Sequence, residues 1–137
     1  FSNHEVMTMD DVRLQHGAFC WNELMTTDVA SAKQFYGALF GWTTEDDSNT
    51  GVDYTLIKVG GEQADGIMAL PPDCAGMPPC WGVYVTVNDV DATAGQVEAL
   101  GGKLLRPPMD IPEVGRFCVL QDPQGAALCA IQLLKSC

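Results

Sequence analysis

One acidic residue stands out as a candidate for chemistry. In the stretch CWNELMTTD, residues 20–28, Glu23 lies inside a run that otherwise reads as a buried strand. Alternation along a strand sends Trp21, Glu23 and Met25 to one face and Asn22, Leu24 and Thr26 to the other. A carboxylate removed from water without a partner is costly, so it either pairs or holds its proton more tightly. Two readings follow: a salt bridge to Arg106, Arg116 or another cation, or a ligand-contacting group or general base. A second run, WGVYVTV, places Gly82, Tyr84 and Thr86 on one face and Val83, Val85 and Val87 on the other. Tyr84 is open to two readings, a satisfied structural hydroxyl or a ligand contact. Cys129 is a poor nucleophile candidate, because no histidine falls in a segment placed near it. The acidic cluster TEDD, Thr44 to Asp47, reads as a solvated turn, since it lacks the spaced ligands and glycine of a calcium loop.

The elements that must hold these residues are announced by a repeat. ELMTTDVASAKQFYGALFG aligns without a gap on YVTVNDVDATAGQVEALGG at an offset of 61 residues, matching Asp28 with Asp89, Val29 with Val90, Leu39 with Leu100 and Gly41 with Gly102. In each copy a strand runs into an Asp suited to cap a helix, and the helix is expected to stop at glycine. Val29, Ala32, Tyr36 and Leu39, with Phe35 beside them, mark the face to bury in the first helix. Val90, Ala94, Val97 and Leu100 mark it in the second. Strand-like runs follow each helix: WTTED, DYTLIKVG and DGIMAL, then KLLRP, GRFCVLQ and ALCAIQLL. DPQG, Asp122 to Gly125, reads as a hairpin turn. Each half is thus β-α-β-β-β, an α+β chain of two tandem modules spanning 17–70 and 80–134. PPDCAGMPP at 71–79 links them, residues 1–16 form an arm and 135–137 a tail.

Composition narrows the partners. The 137 residues suit one domain, and 18 acidic against 7 basic residues give a net charge of −11, which repels phosphate backbones and anionic lipid. Nucleic acid and membrane are therefore not expected partners. Without a run of roughly 20 apolar residues or a secretory pattern at its start, the chain is expected to be cytoplasmic. It begins at Phe1, with Met7 and Met9 as alternative starts. Six cysteines without metal-knuckle spacing read as reduced thiols behaving as small hydrophobes.

WNELMTTDVASAKQFYGALFGW, WGVYVTVNDVDATAGQVEALGGK and GRFCVLQDPQGAALCAIQ together resemble the vicinal oxygen chelate superfamily of glyoxalases, bleomycin-resistance proteins and extradiol dioxygenases. More narrowly, they are similar to a glyoxalase-like branch often labelled hydroxylase. The resemblance covers about residues 17–134. It implies paired βαβββ modules whose sheets curl around a shared cavity, commonly in a homodimer. In metal-using members a His, Gln or similar residue from the first strand of each module and a Glu from the last strand hold a divalent ion that polarises two neighbouring substrate oxygens. Carried over by position, the first-strand places are Trp21 and Gly82, and the last-strand glutamate place of the second module is Cys129. In the first module that place falls near Met68 or Ala69. His4 and His16 lie outside the matching strands. The expected metal site is lost, so no cofactor is expected, and a divalent metal enters only through an atypical site.

If the ligand positions face the cavity, Trp21, Glu23, Met25, Tyr84, Thr86 and Cys129 line it. That lining suits a planar or aromatic guest bearing a cationic or hydrogen-bonding group. The leading expectation is a metal-independent small-molecule binding protein. The alternatives are a glyoxalase-like lyase, isomerase or dioxygenase with an atypical metal site or with Glu23 as general base, and an assembly partner that uses the fold without a ligand.

Overall fold

A computed structural model describes residues 14–47, 54–74 and 76–134, in an α+β arrangement of two helices and eight strands with parallel and antiparallel pairings. The chain divides into two compact units, Trp21–Gly82 and the remaining described chain before and after it.

The first unit carries β1 (Phe19–Thr26, its first two residues grouped with the other unit), α1 (Val29–Phe40), β2 (Thr43–Asp47), β3 (Tyr54–Val59) and β4 (Glu62–Ala69). Their order is β2-β3-β4-β1, with β1 parallel to β4 and the other neighbours antiparallel. The helix begins where the sequence asks for it. Asp28 sits in extended backbone and its carboxylate accepts from the Ser31 N–H at 3.0 Å. It ends at Gly41, whose φ of 76° lets its N–H close on the Gly37 carbonyl. Leu24, Ile57 and Ile67 form the core, covered by Val29, Ala32, Tyr36 and Trp42. Leu24 therefore points toward α1, which leaves Glu23 on the opposite face of β1. Leu39 and Phe35, expected on or beside the buried face of α1, are instead exposed.

The second unit repeats the element order with β5 (Cys80–Thr86, its first three residues grouped with the first unit), α2 (Val90–Gln96), β6 (Lys103–Ile111), β7 (Gly115–Gln121) and β8 (Ala127–Leu133), arranged β5-β8-β7-β6 with β5 parallel to β8. Asp89 caps α2 by accepting from the Ala92 N–H at 3.1 Å. The Gln132 amide oxygen takes the Val90 N–H at 2.9 Å. Val87, Val90, Cys118 and Ala130 form the core with Val85, Ala94, Leu104 and Leu120 against it. Burial pushes the Cys118 thiol above its ordinary value, so it stays a neutral hydrophobe. The five described cysteines are all free thiols.

Local chemistry moved several boundaries. The α-helix of the second half stops at Gln96 instead of running to the glycines; Gly95 weakens helix propensity by about 1 kcal/mol. Looser turn bonds, such as Gly102 N–H to the Val97 carbonyl at 2.9 Å, carry the chain onward and leave Leu100 exposed. Strand β6 continues through Pro107 and Pro108 to Ile111, past the expected end at Pro107. It lies last in the strand order and its register shifts twice, the setting in which proline's missing N–H is tolerated. TEDD is not a turn: Thr44–Asp47 belong to β2, where Glu45 pairs with Lys58 and Asp46 accepts from Lys33 and Thr55. The DPQG turn forms as expected, with Gly125 at φ 101° and the Asp122 carboxylate accepting from the Gln124 and Ala126 N–H groups.

Candidate functional site

Glu23 is buried, with 9% of its surface exposed, in the middle of β1. Its carboxylate oxygen Oε1 accepts from the Tyr54 hydroxyl at 2.8 Å, and that hydroxyl accepts from the Trp21 indole Nε1 at 2.8 Å. Trp21 and Glu23 thus share one face of β1, as alternation requires. Tyr54 is supplied by the first residue of β3. Its phenol reaches Glu23 by passing over β4 at Gly66, the residue paired with Glu23 on one side and Leu56 on the other. A Cβ on Gly66 would sit 1.8 Å from the Tyr54 hydroxyl oxygen. No side chain fits there, so the missing side chain of Gly66 is what lets the phenol lie against the carboxylate.

The electrostatics follow from that burial. Desolvation, then the negative charge of Glu23, drive the Tyr54 phenol well above its ordinary value, while the bond from Trp21 works in the opposite sense. Tyr54 is therefore a neutral donor at any physiological pH. A hydrogen bond to an ionised carboxylate is among the stronger kinds, and it fixes the carboxylate's orientation. On the same strand the Asn22 N–H donates to Asp65 Oδ1 at 2.8 Å, and Asp65 adds further negative potential at Tyr54. This set of groups can hold a carboxylate ready to accept a proton, with a fixed phenol beside it.

The corresponding register of the second unit is differently furnished. Tyr84 pairs with Cys129 across β5 and β8, and Val119 pairs with Cys129 across β7 and β8. The Tyr84 ring meets Phe117 at 6.2 Å with a 51° tilt. Thr86 is buried opposite Ile131, with its backbone bonded to Gly17 and Ala18. Met25 lies half-buried opposite Met68. Because Glu23 pairs with Gly66 as Tyr84 pairs with Cys129, the first-half counterpart of Cys129 is Gly66. The expected register near Met68 or Ala69 was two to three residues too far along. Arg116, a candidate partner for Glu23, is engaged by Asp91 at 3.0 and 3.1 Å and by Asp110 at 3.2 Å.

The donor chemistry of the carried-over metal positions can be tested directly. Trp21 offers an N–H already given to Tyr54, Gly82 and Gly66 offer no side chain, and Cys129 offers one soft sulfur. Those residues do not fit a hard divalent ion. Among the described residues no group of three His, Cys, Asp or Glu is placed to hold one.

Tyr54 and Gly66 escaped the sequence reading. A glycine inside a strand pattern is a general sign of close approach by another group, and Gly66 in DGIMAL carried that sign.

The chain belongs to the glyoxalase/bleomycin resistance protein/dioxygenase superfamily, whose family model matches residues 13–130. Among curated relatives it is 40% identical to CFP32 of Mycobacterium tuberculosis, provisionally named a glyoxylase, over 111 residues covering 79% of this chain and 42% of that protein. It is 38% identical to the anthracycline biosynthesis protein DauV of a Streptomyces species over 128 residues, covering 84% of this chain and 46% of that protein. The chain thus spans less than half the length of these relatives. Among solved structures, methylmalonyl-CoA epimerase from Mycobacterium tuberculosis shares the fold with a TM-score of 0.59 at 17% identity, over 96% of this chain and 95% of that one. The Streptomyces coelicolor epimerase does so with a TM-score of 0.60 at 18% identity, over 90% and 100%. No helix among the described residues is long and apolar enough to cross a membrane.

Proposed function

We propose that this chain is a catalytic domain that moves a proton on a small organic substrate, with Glu23 as general base. The two βαβββ halves are read as copies of one module, in keeping with the 61-residue repeat. The observation that carries the catalytic reading is the buried Glu23 carboxylate held at 2.8 Å by a neutral Tyr54 hydroxyl. A base held in one orientation next to a hydrogen-bond donor suits isomerisation or lyase chemistry, in which a carbon-bound proton beside a carbonyl is removed and returned elsewhere. The glyoxylase name of one relative favours this over the binding-only role expected from the sequence. The anthracycline biosynthesis name of another supports a planar, oxygenated aromatic substrate, which the Trp21 indole suits. Tyr84, Thr86, Met25 and Cys129 are proposed as substrate contacts and not as acids or bases.

The test is deuterium incorporation from heavy water at the carbon beside the carbonyl of an anthracyclinone-type ketone, followed by NMR. Wild type is expected to exchange that proton, and Glu23→Gln to bind the ketone while exchanging it about 10²–10⁴-fold more slowly. Ketone binding by both proteins with no exchange by either would return the reading to a binding protein.

A further inference from the structure

The Trp21 indole has a polar edge as well as a ring. Its Nε1–H donates to the Tyr54 oxygen at 2.8 Å, and that oxygen donates its own proton to Glu23 Oε1 at 2.8 Å. Trp21 and Glu23 belong to β1 and Tyr54 to β3, with β4 between them, so one phenol oxygen joins two side chains of a strand that does not pair with its own.

From this geometry we infer that Trp21 is a positioning residue for the Glu23 carboxylate, acting through Tyr54; its part in catalysis rests on the reading of Glu23 as the base. Three observations carry the inference. The first is the direction of the chain. A phenol hydroxyl donates and accepts and turns to suit its partners, whereas an indole N–H can only donate. With Trp21 supplying the hydrogen on one side, the Tyr54 proton has no acceptor there and is directed to Glu23. The second is the placing of Asp65, the other carboxylate whose charge reaches Tyr54. Its Oδ1 is turned to the backbone, where it accepts from the Asn22 N–H at 2.8 Å. The third is confinement. The phenol lies so close over Gly66 that a Cβ there would sit 1.8 Å from the hydroxyl oxygen, which leaves the ring little room to swing toward β4.

Hydrogen bonds in series also polarise one another, by roughly 10–30% per bond in a low-dielectric interior. The Trp21 N–H offsets the negative charge that gathers on the Tyr54 oxygen as it donates, the same sense in which it favours the ionised phenol. Trp21 therefore divides its tasks: the N–H orients the carboxylate, and the ring is what remains for a planar substrate.

Substituting benzothienylalanine for Trp21 by amber suppression keeps the bicyclic shape and puts sulfur where the N–H was. In the deuterium-exchange assay this change is expected to lower kcat about tenfold or more and to leave KM within about twofold of wild type. An unchanged kcat overturns the proposal. A raised KM with kcat kept does so too, because the N–H would then serve the substrate. A second measurement does not depend on turnover. In proton–nitrogen correlation spectra of the full chain, the Trp21 indole resonance is identified by its loss in Trp21→Phe. It is expected to move upfield in Glu23→Gln, since a neutral amide draws less on the Tyr54 proton than a carboxylate, and to stop responding to Glu23→Gln once Tyr54→Phe is in place. A resonance that ignores Glu23→Gln in the presence of Tyr54 overturns the chain. Movement of the resonance in a protein that exchanges no deuterium would uphold the positioning contact and sink the base assignment alone.

Discussion

The two halves of the chain share an element order and diverge at the same register. In the first, Trp21, Glu23 and Tyr54 form a hydrogen-bonded chain over Gly66. In the second, the matching positions hold Gly82, Tyr84, Phe117 and Cys129, where two rings and a thiol replace a carboxylate and its donors. The backbone pairing that sets Glu23 opposite Gly66 also sets Tyr84 opposite Cys129. The strand pairing is therefore alike at this register, and the two halves differ there in four side-chain identities. One half concentrates charge and fixed donors, while the other offers an apolar and polarisable surface. That contrast is the basis for proposing that proton transfer belongs to the first half.

Substitutions at matching positions can break the comparison. The largest effect is expected at Gly66. Gly66→Val drives a side chain into the Tyr54 phenol and cannot be relieved without expelling it, so stability should fall by about 1–3 kcal/mol and deuterium exchange should be lost. Cys129→Ala, at the matching place, removes only a half-buried sulfur and should leave exchange within a few-fold of wild type. Urea denaturation and the exchange assay together check the pair.

A smaller contrast is expected between Tyr54→Phe and Phe117→Tyr. Removing the Tyr54 hydroxyl takes a donor from a buried carboxylate and an acceptor from Trp21, which costs about 1–3 kcal/mol. Adding a hydroxyl at Phe117 repairs nothing, so Phe117→Tyr should not recover the exchange lost in Tyr54→Phe when the two are combined.

Wild type and Tyr54→Phe should also separate by pH. Folding holds the Tyr54 proton more tightly than the unfolded chain, in which a tyrosine ionises near about pH 10. The folded state binds the extra proton, so this contribution is full below pH about 10 and is lost as pH rises above it. Wild type should therefore lose its stability advantage over Tyr54→Phe in alkaline melts, a comparison in which every other group is common to both proteins. An advantage that stays constant through that range would mean that Tyr54 is not held as described.

Much of the scaffold was legible because its signals are local. Asp28 and Asp89 stand where helices begin, the valines of WGVYVTV separate inward from outward faces, and DPQG forms its turn from its own side chain and glycine. Glu23 was legible as an anomaly, since a carboxylate in an apolar run conflicts with its surroundings. Its partner was not, because Tyr54 meets Glu23 only after β1, β3 and β4 have aligned, and Gly66 reports on a contact between residues distant in sequence. The exposed ends of the helix faces, Leu39 and Leu100, were misread for a related reason. Helical periodicity shows which residues share a side, but not how far along that side the sheet extends.

The most direct measurement sets Glu23→Gln beside Tyr84→Phe in the deuterium-exchange assay. These residues occupy matching places on β1 and β5, so a role that belonged to the fold position alone would weaken both alike. The proposal that proton transfer belongs to the first half predicts that Glu23→Gln loses about 10²–10⁴-fold in exchange rate with ketone binding retained, while Tyr84→Phe changes affinity more than rate. Exchange that survives in Glu23→Gln and collapses in Tyr84→Phe would contradict it and move the base to the second half.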